Sequence, residues 1–476
     1  MYHQATEIRR ELLQRVCELC FEEKLVEEIN RIPLVMRPKE SPLSRCCIHK
    51  DRAVIKYRLM TILGFNVTDE TDELTTLSEY AKMSLDRKEF TDVMLTVVDE
   101  ACSSCVKNNY TVTNLCRACV GHPCTYACNK DAITIDKTAE IDHSKCVNCG
   151  RCMDACRFHA IVYTPVPCEE VCPAGAISKN SLGIEHIDWN KCVFCGRCSI
   201  ACPYGAIMEK PSLLHIIRDI LNPDKRVVAM VAPAIAGQYK TTLSKIFGAI
   251  KSCGFDDVVE VALGANITSR NEAKEWQERI LFKGESFMTT SCCPSYKEWA
   301  AKYLPELVPY ISHTGTPASY TADLVKNGDP DAVTVFIGPC MAKRVEGFYD
   351  PNVDYVMTFE ELDAMIGAKG IDVLKCEDFA IDEQVDRSSR QYARTGGVSE
   401  SVAQYVPHPE FLKAEVINGL SKESIKLLKT AATTGVSESN LIEVMMCEGG
   451  CVNGCGVLVS PKVATRQIMA LDKEKR

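Results

Sequence analysis

Apolar positions near the start of the chain recur at helical spacing. Ile8, Leu12, Leu13, Val16, Cys17, Cys20 and Phe21 predict one amphipathic helix. Cys17 follows Leu13 by four and Cys20 follows Val16 by four, so both thiols fall on the apolar face. The expected role of Cys17, Cys20 and the adjacent pair Cys46-Cys47 is that of buried small hydrophobes, with a metal site as the alternative. Residues 51–95 read as further helix and turn. From residue 211 onward the pattern changes to short apolar runs separated by amphipathic stretches. Val227–Val231, Val258–Leu263, Phe287–Thr289, Val333–Ile337, Tyr355–Phe359 and Leu441–Met446 are the expected strands. Helical patterns lie between them, among them the stretch ending at Ile250 and Ser421–Ala432. That alternation implies parallel strands covered by helices.

Composition changes the picture in the middle of the chain. The 476 residues suggest roughly three domains at about 150 residues each. We divide them at 1–95, 96–210 and 211–476. Apolar residues make up 46% and charged residues 25%, an ordinary globular mix that excludes disorder and collagen-like repetition. A net charge of −9 with no block of Lys or Arg argues against a nucleic-acid reader. No uncharged apolar run reaches the ~18–20 residues of a membrane span. The start MYHQATEIRRELLQ reads as neither a secretion signal nor a twin-arginine leader, so the expected compartment is the cytoplasm. There are 28 cysteines, 16 of them between Cys102 and Cys202. In a reducing compartment such clustered thiols are metal ligands first and redox thiols second.

The middle segment repeats internally. Cys146, Cys149, Cys152 and Cys156 form a C-x2-C-x2-C-x3-C run, and Cys192, Cys195, Cys198 and Cys202 repeat it. This is the run of bacterial 4Fe–4S ferredoxins, in which three thiolates wrap one cluster and the fourth reaches its neighbour. The partner cysteines are Cys116, Cys119, Cys124 and Cys128 for the first run, and Cys168 and Cys172 for the second. The crossover rule predicts three complete sets: Cys116, Cys119, Cys124 with Cys156; Cys146, Cys149, Cys152 with Cys128; and Cys192, Cys195, Cys198 with Cys172. Cys168 and Cys202 then need two partners. Cys102 and Cys105 are the candidates for a fourth cluster, with zinc or two idle thiols as the alternatives. Several such clusters in a row pass single electrons, so the segment reads as a wire.

Three expected strands run into Cys292-Cys293, Cys340 and Cys447, with Cys451 close behind the last. Carboxyl ends of strands in open α/β folds form the crevice where ligands bind. Four thiolates converging there would hold a further cubane and leave Cys292 as a free thiol. Cys253 and Cys376 read as ordinary core thiols.

TSCCPSY at 290–296, GPCMAKRVE at 338–346 and EVMMCEGGCVNGCG at 443–456 resemble the three signatures of the FeFe-hydrogenases. RTGGVSE at 394–400 and VAPA at 231–234 fall where that family has similar segments. The resemblance is to the divergent group B branch, with a bacterial-type ferredoxin module in front. It implies a two-lobed α/β catalytic domain with parallel sheets and covering helices, preceded by α+β ferredoxin-like 4Fe–4S modules and a small helical N-terminal region. It further implies that Cys293, Cys340, Cys447 and Cys451 hold the cubane of an H-cluster. Cys451 would also bridge to a diiron subcluster bearing CO, cyanide and an azadithiolate. By the same resemblance Cys292 relays protons, Lys343 hydrogen-bonds a cyanide and Met445 lies near the bridging CO. Glu272, Glu275, Arg279 and Ser312 fall on the family's proton path, and the first three share one helical face at i, i+3 and i+7.

There are departures from the family pattern. Gly338 stands where the prototype has Met, Tyr296 where it has Trp, and Ala234 at the position of a Ser. Gly454-Cys455-Gly456-Val457-Leu458 replaces Gly-Gly-Gly-Gln-Pro and adds a thiol. None removes a ligand. The implied activity is reversible interconversion of protons and electrons with H2, served by ferredoxin and by hydrogenase maturation proteins. The rivals are an iron–sulfur redox sensor or assembly scaffold, and a ferredoxin-fed reductase of another small substrate.

Overall fold

The structure, a computed structural model, describes residues 4–87, 93–102, 105–106, 108–380 and 384–471. The N-terminal region is helical, with its longest helices at Gln4–Phe21, Ile48–Ile62 and Leu77–Asp86. The first of these buries Leu12, Leu13, Val16, Cys17 and Cys20, the predicted face. The expectation for the neighbouring pair fails. Cys46 is exposed and Cys47 half-buried, because they form the loop that enters the helix Ile48–Ile62 rather than a face of it.

The cysteine-rich segment is two similar halves. Each has one antiparallel hairpin, Ile133–Ile135 with Ala139–Ile141 in the first and Ile177–Lys179 with Glu185–Ile187 in the second. Each is closed by a second antiparallel pair, Tyr110–Val112 with Ile161–Tyr163 and Leu95–Val97 with Ile207–Glu209. The halves differ in burial. The first has a small core of its own built on Tyr110, Cys124, Ile133, Ala139, Cys152 and Ile161. The second shares one continuous core with the N-terminal helices and the C-terminal region.

The C-terminal region contains two parallel sheets. The first has the order Asp257–Glu260, Val227–Val231, Val333–Ile337, Tyr355–Met357. Its two central strands are buried at every position, as strands covered on both faces must be. The second has the order Met288–Thr289, Leu441–Met445, Ala414–Asn418. Two apolar runs were read too long. The run from Val258 leaves the sheet at Glu260 and continues as the helix Val261–Trp276, and the run from Tyr355 ends at Met357, where Thr358 caps the helix Phe359–Ala368. The strand Ala414–Asn418 has no clean apolar signature, since at the sheet edge only Ile417 is buried.

The regions are clamped together by polar contacts. Arg9 and Arg10 of the first helix both bind Glu360 in the C-terminal region, the latter at 3.2 Å. The Lys302 ammonium donates to the carbonyls of Trp189 and Cys192 at 3.0 and 2.8 Å, and Tyr303 donates to those of Ala174 and Lys191 at 2.8 and 2.9 Å. Among the described residues no helix is long and apolar enough to cross a membrane.

Candidate functional site

The cysteine loops repeat one backbone design. In three of the C-x-x-C turns the residue before the second cysteine is left-handed: Ala118, Asn148 and Phe194, with φ of 42°, 52° and 55°. Non-glycine residues accept this region only when the surroundings hold them there. A second repeat follows the crossing cysteines. Cys128, Cys156, Cys172 and Cys202 each accept the amide N–H of the alanine four residues on, at 3.4, 3.4, 3.2 and 3.4 Å. A donor aimed at sulfur favours the thiolate, the form a metal needs.

The sets predicted from spacing are brought together. Cys116, Cys119, Cys124 and Cys156 line one cavity, and Cys128, Cys146, Cys149 and Cys152 another. Cys192, Cys195 and Cys172 are neighbours and also surround Cys198. The leftover four converge as well, with Cys102, Cys105 and Cys202 all close to Cys168. What joins them is the pairing of Leu95–Val97 with Ile207–Glu209, extended by the Val98 N–H on the Ala206 carbonyl. Among the described residues no three His, Cys, Asp or Glu side chains are grouped as ligands of a single ion. Zinc would draw its sulfurs in to about 2.3 Å from the metal.

The C-terminal thiols meet at the carboxyl ends of both sheets. Cys293, Cys340, Cys447 and Cys451 line one cavity together with Cys292, Lys343, Met445 and Ala234. Cys340 lies beside Cys293 and Cys451, and Cys447 beside all three. Burial pushes the Cys340 and Cys451 thiols up to about 12 and raises the Cys447 thiol well above its ordinary range. Four buried thiolates cannot coexist without a positive centre between them. Close backbone approach makes the convergence possible. A Cβ on Gly454 would stand 2.3 Å from the Pro339 carbonyl oxygen, so only glycine lets the Cys451 turn close on the Cys340 loop. Gly338 is explained similarly. A Cβ there would meet the Phe336 ring at 2.5 Å, so Phe336 fills the wall that a side chain at 338 would otherwise form.

Cys195 lines this same cavity and is a neighbour of Cys447, while Arg197 donates to the Met446 carbonyl. The third cysteine set of the middle segment therefore abuts the C-terminal set. Cys455, the additional thiol, is buried beside Cys340 and Cys447 and faces Gly196 of the same loop.

Lys343 is almost buried and binds both oxygens of Glu346 at 2.7 Å. Cys292 is held as a neutral thiol by burial, with Glu272, Cys293, Glu443 and Cys451 around it. Glu272 is fully buried, and burial raises its carboxyl to about 7. Its Oε1 accepts from the Ser291 N–H at 3.0 Å, whereas Oε2 has no hydrogen-bond partner among the described residues. Ser312 stands beside Glu272 and donates to Glu275 Oε2 at 2.7 Å. Burial alone would raise Glu275, but hydrogen bonds from Ser312, His313 and Arg279 outweigh it and hold this carboxyl below its usual range. The α-helix gives way to a π-helical turn over Gln277–Phe282, so Arg279 leaves the regular helical face and binds Glu275 at 3.1 Å and Glu285 at 2.8 Å.

Glu443, His313 and Glu346 were not singled out in the sequence. Glu443 is the first residue of the third signature, and its buried carboxylate accepts the N–H groups of Gly396 and Ser399 at 2.8 Å each. It thereby ties RTGGVSE to the strand that leads to Cys447. A buried acid in an otherwise apolar strand was the available signal.

A raised carboxyl gives a pH test in the unloaded chain. Folding favours the protonated form of Glu272, so its contribution is complete below the ordinary carboxylate range and is lost as pH rises through about 7. Glu272→Gln is expected to raise stability by up to about 3 kcal/mol near pH 8 and to change little near pH 4. Thermal melts across that range check it, and parallel curves for the two proteins would contradict it.

Residues 225–455 match the family described as the iron only hydrogenase large subunit, C-terminal domain. Residues 139–162 match a 4Fe-4S binding domain and 161–212 the LdpA Fe-S cluster-binding domain. The chain is 29% identical to iron hydrogenase 1 of Clostridium pasteurianum over 401 residues, covering 71% of this chain and 67% of that one. It is 33% identical over 118 residues to a cytosolic Fe-S cluster assembly factor of Kluyveromyces lactis, covering 24% and 25%. A solved FeFe-hydrogenase from Chlamydomonas reinhardtii is 21% identical with a TM-score of 0.44, covering 54% of this chain and 87% of that one.

Proposed function

We propose that this chain, a divergent hydrogenase-like protein with a ferredoxin module ahead of its C-terminal domain, interconverts protons and electrons with H2. One observation carries the reading. Cys340 meets Cys293, Cys447 and Cys451 at a cavity that also presents Cys292, Lys343 and Met445. An assembly scaffold would need the four ligands alone.

The residues fit an H-cluster. Four buried thiols need a shared cationic partner, and the unpartnered Glu272 oxygen suits a carboxyl kept protonated beside a relay. Cys293, Cys340, Cys447 and Cys451 would hold that group. When bound, that group supplies the redox chemistry of the H–H bond. The protein supplies the rest. Cys292 carries a proton on its sulfur at the cavity wall. Glu272 holds the next proton, and the Ser312 hydroxyl links it to Glu275. Lys343, steadied by Glu346, offers a buried ammonium toward anionic ligands. Phe336, Met445 and Ala234 exclude water.

Electrons would travel through the cysteine sets. The two sets of the first half lie nearest solvent, where Cys149 is exposed, and the set around Cys195 delivers to Cys447. In this reading Cys102, Cys105, Cys168 and Cys202 hold a fourth 4Fe–4S cluster. The proton couple at pH 7 sits near about −410 mV, from ~59 mV per pH unit, and ferredoxin clusters lie around −400 mV. The wire is close to isoenergetic with the reaction, so turnover can run either way. A soluble ferredoxin in the cytoplasm is the proposed partner, and maturation proteins would load the diiron part.

The test is infrared spectroscopy of the chain matured with its diiron precursor, paired with an H2 assay. We expect CO and cyanide bands together with turnover. Bands without turnover would indicate a sensor, and absent bands a scaffold.

A further inference from the structure

The chain of proton-bearing groups that leads outward from Cys292 reaches beyond the residues named from the sequence. Arg279 was expected on this path. Its side chain is only 7% exposed and a guanidinium does not give up its proton. Each of its nitrogens is committed. Nη1 donates to Glu275 and the Ile311 carbonyl, Nη2 to the Pro309 carbonyl, and Nε to Glu285. Arg279 fixes Glu275 in place and screens its charge.

The group that touches both Glu275 and water is His313. Its side chain is 79% exposed, and Nδ1 lies 2.9 Å from Glu275 Oε1. Its backbone N–H donates to the same carboxylate, at 3.0 Å to Oε2. The carboxylate thus accepts from the ring and the backbone of one residue, while Ser312, the preceding residue, links it inward. The charged groups facing the imidazole are Glu275 on the helix and Arg279 on the π-helical turn, with Glu285 beyond the guanidinium.

We propose that His313 is the residue that exchanges protons between bulk water and the Glu275–Ser312–Glu272–Cys292 series. The inference rests on the reading that Cys292 handles protons for H2 chemistry. The step balances simply. The neutral ring with its proton on Nδ1 takes a second proton from hydronium at Nε2, the resulting imidazolium passes the Nδ1 proton to Glu275 Oε1, and exchange with water returns the Nε2-protonated ring to the Nδ1 tautomer. In H2 oxidation the same bonds form and break in reverse. An imidazole is suited to this because its ordinary titration range straddles neutral pH. An exposed histidine paired with a carboxylate only for stability would leave proton delivery unaffected, and the experiment separates the two roles.

The first arm uses the matured protein. His313→Ala is expected to lower turnover about tenfold near neutral pH, since water replaces the ring inefficiently. Free imidazole in the buffer should restore most of the loss, while iron content and infrared bands stay as in the unaltered protein. Unchanged turnover, or a loss that imidazole does not repair, would overturn the proposal. The second arm needs no cofactor. Nitrogen NMR of the His313 ring in the unloaded chain should show Nδ1 engaged in a hydrogen bond that is lost in Glu275→Ala. A ring nitrogen signal identical in the two proteins would overturn the proposal. Should the unaltered matured chain show no H2 turnover, the functional reading fails on its own, and His313 is judged by the nitrogen NMR.

Discussion

Cys292→Ala is expected to leave every cluster in place and to lower H2 turnover by at least about a hundredfold, the scale of a lost proton-transfer group. The geometry behind this is specific. Cys292 has Glu272, Cys293 and Cys451 as neighbours and lines the cavity, so it stands between the carboxyl series and the cavity. Other proton-bearing groups on the cavity wall cannot replace it. Lys343 is held by both oxygens of Glu346, and the Tyr392 hydroxyl is engaged with Ser269 at 2.7 Å and raised well above its usual range by burial. Alanine leaves a small void and no charge defect, so folding and metal loading should survive. Iron content and infrared bands matching the unaltered protein, alongside collapsed turnover, is the expected pair of results. Full turnover in the variant would remove Cys292 from the proton route.

Cys340→Ala should have an equally large effect by a different route. Cys340 reaches the other three thiols only through the loop that follows the buried strand Val333–Ile337. Without it the set has three ligands and loses its grip on the shared group. We expect iron to be lost from the C-terminal site and turnover to vanish. Iron in the cysteine-rich segment should be retained, because those sets close on separate loops. Iron analysis with electron paramagnetic resonance distinguishes the two populations. A variant that kept its full iron content and activity would exclude Cys340 as a ligand and, with it, the proposed H-cluster.

The chain by itself determined whatever lies within one loop or one strand. Covalent geometry confines C-x2-C-x2-C ligands to a few ångströms, so those triplets are legible directly, and the crossing cysteines follow from the repeat. Uninterrupted apolar runs such as Val227–Val231 and Val333–Ile337 specify central parallel strands because no exposed face is tolerated there. Where one run served two elements, as from Val258, apolarity could not mark the switch from strand to helix. The edge strand Ala414–Asn418 escaped because only Ile417 is buried. Only the tertiary structure decided the contacts between distant segments. The union of Cys102 and Cys105 with Cys168 and Cys202 depends on a strand pairing across more than a hundred residues. The seating of Cys195 beside Cys447 and of His313 on Glu275 depends on docked surfaces and a π-helical turn. Such contacts leave no periodic trace in sequence, because a lone histidine in a polar loop looks the same whether or not a carboxylate folds up against it.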